Sequence, residues 1–461
     1  MQKAHFIGIA GKGMSATALL LRERGWQITG SDEGFYPPVS DYLTHAGIIF
    51  SNGYKKENIP EDANVIVVGK NAKLVPETNE EVKAAFESGK LVKSFPEIIA
   101  ELTEGAETIV VAGSYGKSTC TALLAWCLKE GGKDPSYFIG EVTRGFDAYA
   151  HTGAGSTFVL EGDEYPSSNW DSSAKFLHYH AKNVLLTSAT HDHINVYPTH
   201  AEYLAPFHTL LSQMPSDGCL VYNFDEPFAH ELAGTPYCPT ISYGMTDKAC
   251  WYPAHITYGA PTVFDLMRAG KKVISLSTTQ LGTHNIENII GVSALLLEKR
   301  LVTPEELTLG VASFQGVKRR MELLTPLSRV PVYEGFGSSY EKARSAIDAM
   351  RLHFPSERLV VVFEPHTFGW RNRANLNWYT DVFTGAEKVF IAPPETQGAA
   401  THDQLTHSEI LNAVGVTSEA YEPGHVIDAI RENDAVLILT SGSLEGTIPT
   451  LVKGISEKFP L

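Results

Sequence analysis

The chain has 461 residues, 43% hydrophobic and 20% charged, with a formal net charge of −16. That length predicts about three domains, and the acidic balance argues against nucleic acid or an anionic membrane as a partner. The five cysteines form no C-x-x-C pair, and there is neither a secretory apolar region nor a run of about 18 apolar residues, so the expected location is cytoplasmic.

In chain order, HFIGIA and QITGSD read as strands around a helix beginning near Met14, with VIVVG and LVKSF as later strands. Gly11-x-Gly13-x-x-Ala16 follows the first strand, and Asp32 ends the next. This is the dinucleotide pattern, in which glycines admit a pyrophosphate and the acid meets a ribose hydroxyl. NAD satisfies it, as does any nucleotide diphosphate. The polar stretch AELTEGAE then places a boundary near residue 105.

The run TIVVAGSYGKST repeats the theme of strand, glycine loop and helix. Val111 stands where a strict G-x-x-x-x-G-K-[ST] loop has its first glycine, yet Gly113, Gly116, Lys117 and Ser118 keep the means to cradle phosphate and to offer a hydroxyl to Mg²⁺. A purely structural turn is the plainer alternative. STFVLEGDE and NVLLTSATHDH end as strands in polar residues, and active groups of open α/β sheets gather at such ends. Glu161, Asp163 and Glu164 are candidate Mg²⁺ ligands there, or simply a solvated acidic loop. His191, Asp192 and His193 follow; nothing nearby completes a zinc set, so a second metal or a phosphate is the expected contact for His193, and packing for His191.

Residues 215–280 look richer in β structure (GCLVYNF, KKVISLST) and lead into the helical NIENIIGVSALLLEKR. In GTHNIENI, Asn285 and Asn288 stand at a helix start, where capping is the ordinary role. In GVKRR, Lys318, Arg319 and Arg320 form a candidate phosphate contact in an acidic chain. VPVYEGF, RLVVVFEP, KVFIAPP and AVLILTSGS then predict a third α/β layer.

In this order GIAGKGMS, GSD, AGSYGKST, EGDE, HDH, LGTHNIEN, GVKRRME and FEPHTF resemble the Mur ligases, ATP-dependent amide-forming enzymes of bacterial peptidoglycan. The resemblance implies an α/β fold of three domains: a Rossmann-like UDP-sugar-binding domain (1–105), a central P-loop-type ATPase domain with a mainly parallel sheet (106–322), and a Rossmann-like C-terminal domain (323–461) that brings the amine and closes over ATP. It implies Gly11, Gly13, Ser31 and Asp32 at the UDP moiety, and Gly113, Gly116, Lys117, Ser118, Thr119, Asn288 and Arg320 at ATP. Ser118, Glu161 and His193 would hold Mg²⁺, with Lys117, Glu161 and His193 as the catalytic set.

The implied reaction joins the carboxylate of UDP-N-acetylmuramate to an amine through an acyl phosphate. GFYPPVSDYL and SSAKFLHY point to the branch that uses the peptide L-alanyl-γ-D-glutamyl-meso-diaminopimelate in peptidoglycan recycling, whereas FEPHTF leans toward the branch that adds L-alanine. Against the family pattern, Ser114, Tyr115 and Ser118 replace Thr, His and Thr; Ser188 and Thr190 stand where Asn and Glu are expected; and EGFGSSY at 334–340 replaces an Asp-Asp, aromatic, small, His-His-Pro segment. That last change also suggests a non-catalytic binder of UDP-muramyl compounds. An NAD-dependent oxidoreductase would leave the Lys117 loop unexplained.

Overall fold

Three mostly parallel sheets organise the chain, whose computed structural model describes residues 1–193, 196–394 and 404–461. The first sheet carries Ile49–Asn52, Gln27–Asp32, Lys3–Ile7, Val65–Val68 and Leu91–Lys93 in that spatial order, all parallel. Val65–Val68 is buried at every position, as suits a strand covered on both faces. Chain order runs outward in both directions from Lys3–Ile7, so the crevice at the carboxyl ends of the two central strands is where such a sheet takes a ligand. The edge strand Ile49–Asn52 has no fully buried residue, and apolar alternation therefore leaves no mark of it in the sequence.

The second sheet places Glu107–Ala112 between Asn183–Leu186 and Thr157–Glu161, all parallel. Cys219–Asn223 and Thr240–Tyr243 extend it on one side and Ser136–Phe138 on the other. Helix Lys117–Glu130 is buried continuously from Ser118 to Leu128, the pattern of a helix enclosed all round. The three strand ends that bear GSYGK, EGDE and THDH are thus neighbours.

In the third sheet Val332–Gly335, Asp434–Leu439, Arg358–Phe363, Lys388–Ile391 and Ser418–Ala420 run parallel, and Arg320–Leu323 pairs antiparallel at the edge. That edge strand straddles the expected division at 322/323. No helix among the described residues is long and apolar enough to cross a bilayer.

Two compact units result. One comprises Met1–Ala254, Asp265–Leu276 and Glu287–Phe314; the other comprises His255–Phe264, Ser277–Ile286 and Gln315–Leu461. Within the first unit the first two sheets share one apolar core, reaching from Phe6 and Leu20 to Phe158 and Phe207. Polar ties reinforce it. The Ser15 and Tyr149 hydroxyls meet at 2.6 Å, and Lys12 Nζ donates to Glu141 at 2.8 Å.

In the second unit the paired strand starts Arg358 and Asp434 face each other, with guanidinium-to-carboxylate bonds of 2.9 and 2.7 Å. Asp434 is 2% exposed, so removing its partner leaves a buried charge unmatched. Arg358→Met is expected to lower unfolding stability by about 3 kcal/mol, measured by urea denaturation.

Candidate active site

The loop after Glu107–Ala112 is built around two glycines at which any side chain would be strained. Gly113 has φ +142°, and a Cβ there would lie 2.2 Å from Thr187 Oγ1; Gly116 has φ +81°, and its Cβ would lie 2.7 Å from Asn288 Oδ1. Gly116 caps helix Lys117–Glu130, whose amino end favours anions. The Ser188 hydroxyl accepts from the Ser114 and Tyr115 amides at 3.1 and 3.0 Å. Ser114 Oγ donates to the Thr190 carbonyl at 2.5 Å and meets Tyr203 OH at 2.8 Å. Three positions that depart from the Mur pattern therefore bond to one another and hold the loop. Thr190 Oγ1 also donates to Glu226 Oε1 at 3.2 Å, which puts an acid from the next strand connection beside the position where the family carries its own.

Glu164 is the centre of the cluster. It is fully buried, and its carboxylate lies 3.0 Å from Lys117 Nζ and 3.0 Å from His193 Nε2. Tyr197 donates its hydroxyl to the Glu164 carbonyl. Glu161 accepts from Ser118 Oγ at 2.9 Å and from the Gly140 amide at 2.7 Å. Lys117 Nζ also donates to the Gly113 carbonyl at 2.5 Å. Lys117 and His193 thus meet at a carboxylate that the sequence marks only as one of three acids in EGDEY, and Ser118, next to Lys117, meets Glu161.

The hydrogen bond to Glu164 raises the pKa of His193 above the ordinary imidazole value, over the opposing effect of burial. Asp163 is held below the usual carboxylate range: burial pushes it up, but Lys175, the Tyr165 amide and Lys117 together outweigh that. Glu164 Oε2 makes no hydrogen bond and is met by the Lys117 ammonium. Ser118, Glu161 and Glu164 offer hard oxygens of the kind Mg²⁺ takes, but among the described residues no three His, Cys, Asp or Glu side chains are gathered as a ready metal site.

A cavity of about 310 Å³ opens at the carboxyl ends of the first sheet, lined in part by Gly8, Gly11, Asp32, Tyr54 and Lys70. Gly11 and Asp32 are where the dinucleotide pattern puts them. Asp32 is already engaged, accepting from the Ala10 amide at 2.9 Å and from Tyr54 OH at 3.0 Å, so it also braces the glycine turn. Gly13 does not line the cavity; its Cβ would lie 2.7 Å from Phe95 Cζ, which makes it a close-packing glycine. Ser31 is buried and donates to Glu81 at 2.8 Å. Glu81, itself buried, also meets His5 at 2.7 Å and the Lys55 amide at 2.8 Å.

Asn288 is buried beside Gly116 and accepts from Cys120 Sγ at 3.3 Å. Thr119 follows Ser118 in the first turn of its helix, largely buried. Arg320 lies in the second unit with an exposed side chain. Its neighbour Arg319 is the anchored member of the basic run, donating to Glu334 at 3.0 Å and to the Gly442 carbonyl at 2.6 Å. The replaced 334–340 segment thus begins with an acid committed to Arg319. A larger cavity of about 590 Å³ in the second unit, lined by Gly282, His284, Tyr340 and Arg344 among others, holds none of the expected site residues.

Comparison with known proteins bears on both cavity and cluster. Residues 3–106 match the catalytic domain of the Mur ligase family, and residues 111–296 match the Mur ligase middle domain. The UDP-N-acetylmuramate–L-alanine ligase of Halorhodospira halophila (strain DSM 244 / SL1) is 29% identical over 99% of this chain and 94% of its own. The UDP-N-acetylmuramate–L-alanyl-γ-D-glutamyl-meso-2,6-diaminoheptandioate ligase of Escherichia coli (strain K12) is 24% identical over 99% of each. Among solved structures, the UDP-N-acetylmuramate-alanine ligase of Thermotoga maritima superposes with a TM-score of 0.78 at 20% identity, covering 99% of this chain and 100% of the other.

Two measurements check the geometry. Because its folded pKa is raised, His193 contributes stability that is fully present below its unfolded pKa and is lost as pH rises through the folded one. In Glu164→Gln the NMR titration midpoint of His193 is expected to fall toward the ordinary imidazole value. Gly13→Ala, which forces the Phe95 ring to move, is expected to cost about 1–3 kcal/mol in denaturant unfolding.

Proposed function

The chain belongs to the Mur ligase family and is an ATP-dependent ligase; we propose that it joins the carboxylate of UDP-N-acetylmuramate to the amine of the cell-wall peptide L-alanyl-γ-D-glutamyl-meso-diaminopimelate. The observation that carries the ligase part of this reading is the pairing, within one compact unit, of a nucleotide-type cavity at Gly11 and Asp32 with the Lys117, Ser118, Glu161 and Glu164 cluster; the peptide acceptor rests on the stretches GFYPPVSDYL and SSAKFLHY and on likeness to the Escherichia coli peptide ligase. An NAD oxidoreductase uses only the first. In this reading residues 1–105 hold the UDP-sugar, 106–322 hold ATP, and 323–461 receive the amine.

A carboxylate is a poor acylating agent, so it first takes the γ-phosphoryl group of ATP, and the peptide amine then displaces phosphate from the acyl phosphate. The residues of this chain contribute mainly position and charge. Lys117, released from Glu164 as triphosphate arrives, meets the transferring phosphoryl oxygens. Gly113 and Gly116 keep the backbone close to phosphate, and Asn288 lies beside the loop for the nucleotide. Ser118, Glu161 and His193 would hold Mg²⁺, with Glu164 adjoining; when bound, that ion supplies neutralisation of phosphate charge. The reaction is placed in the cytoplasm, where the free cysteines stay reduced.

L-Alanine is the second acceptor to consider, because the Halorhodospira relative, an L-alanine ligase, is 29% identical and the Escherichia peptide ligase 24%. Phosphate release with UDP-N-acetylmuramate, ATP and Mg²⁺ is expected with the tripeptide and to be faster than with L-alanine; the reverse order would reassign the acceptor. Silence with both would remove the proposed reaction. Lys117→Ala is expected to cut turnover by about a hundredfold to a thousandfold while the UDP-sugar affinity, measured by calorimetry, stays near that of the unaltered protein.

A further inference from the structure

Tyr203 belongs to helix His200–Ser212, on the face that carries Leu204, Phe207, Leu210 and Leu211 into the core of the first unit. Its spacing in the sequence marks it as a core residue and nothing more. The ring is fully buried, with the Phe207 and Tyr197 ring centroids 5.3 and 5.6 Å away. A buried phenol needs a partner for its hydroxyl. Here the hydroxyl has two, on separate strand ends of the second sheet: Ser114 Oγ in the phosphate loop at 2.8 Å and Glu164 Oε1 at 3.4 Å.

Counting hydrogens sets the direction of these contacts. The Ser114 hydroxyl has one hydrogen, and it goes to the Thr190 carbonyl at 2.5 Å. Ser114 therefore accepts from Tyr203, which spends its single hydrogen on the loop at the shorter contact and leaves Glu164 at the longer one. Glu164 Oε1 is met instead by His193 Nε2 at 3.0 Å and by Lys117 Nζ at 3.2 Å. Turning the hydroxyl about its C–O bond moves the hydrogen from one acceptor toward the other while the ring stays in place. Burial, and after it the charge of Glu164, raises the pKa of Tyr203, so the phenol keeps that hydrogen.

We propose that Tyr203 is a positioning residue for ATP: its hydroxyl serves Ser114 while Lys117 is paired with Glu164, and turns to Glu164 when Lys117 leaves for the triphosphate. The inference rests on the proposed function and adds to it the group that takes over from Lys117 at the buried carboxylate. When Lys117 turns away, Glu164 loses a cation while remaining out of water, and a buried charge short of partners is costly. A hydroxyl that changes acceptor offsets part of that cost. Ser114 can let Tyr203 go without loosening the loop, because its own bond to Thr190 and the two loop amides on Ser188 remain.

Tyr203→Phe removes the hydroxyl and keeps the ring, and two measurements on it test the exchange. In calorimetry with Mg²⁺ and a non-hydrolysable ATP analogue, the variant is expected to bind about tenfold more weakly, with UDP-N-acetylmuramate bound as before. No weakening of the analogue, or equal weakening of both ligands, would overturn the inference. The second measurement needs no ligand. In Lys117→Ala the hydroxyl already belongs to Glu164, so adding Tyr203→Phe is expected to lower the urea midpoint about twice as far as it does when Lys117 is present. An equal fall in both backgrounds would make Tyr203 a support of the loop alone and overturn the exchange. Unaltered protein that takes up no analogue would instead remove the proposed function.

Discussion

A carboxylate taken wholly out of water has to be matched by cations and donors, and Glu164 imposes that requirement on the centre of this chain. It draws Lys117 from the phosphate loop and His193 from the neighbouring strand end, each to 3.0 Å. Tyr203, fully buried, leans on it through a longer contact of 3.4 Å. Three strand ends of the second sheet are thereby locked in one charge arrangement before any nucleotide arrives.

The residues that depart from the family pattern make sense as a set. A serine at 114 reaches the Thr190 carbonyl, a serine at 188 takes two loop amides, and a threonine at 190 reaches Glu226. Each side chain meets a backbone group of the loop or Glu226, so every introduced hydroxyl has a partner, and leaving any of these buried polar groups unmatched would cost about 1–3 kcal/mol.

The fused core of the first unit has a functional side. With Tyr149 on Ser15, Glu141 on Lys12 and Asn169 on the 71–74 wall, the cavity of the first sheet and the Glu164 cluster of the second are held at a set separation. A reaction that needs near-attack geometry gains most from such fixing.

Local rules made the strands, the helix starts and both glycine loops legible in the sequence. Buried parallel strands such as VIVV are apolar throughout, and a left-handed turn before a helix calls for glycine, so Gly116 and Lys117 announce themselves. Ser118, Glu161 and His193 are candidates by their place at the loop and the strand ends, and the family pattern singles them out as a set. The tertiary structure alone decided that Glu164 is the shared partner, that Gly13 packs on Phe95 while Gly11 faces the cavity, that Ser31 serves Glu81, and that Arg319 is the anchored arginine. These are contacts between residues far apart in the chain, made through space by side chains with no periodic spacing, and composition or pattern carries no trace of which acid among three is the buried one.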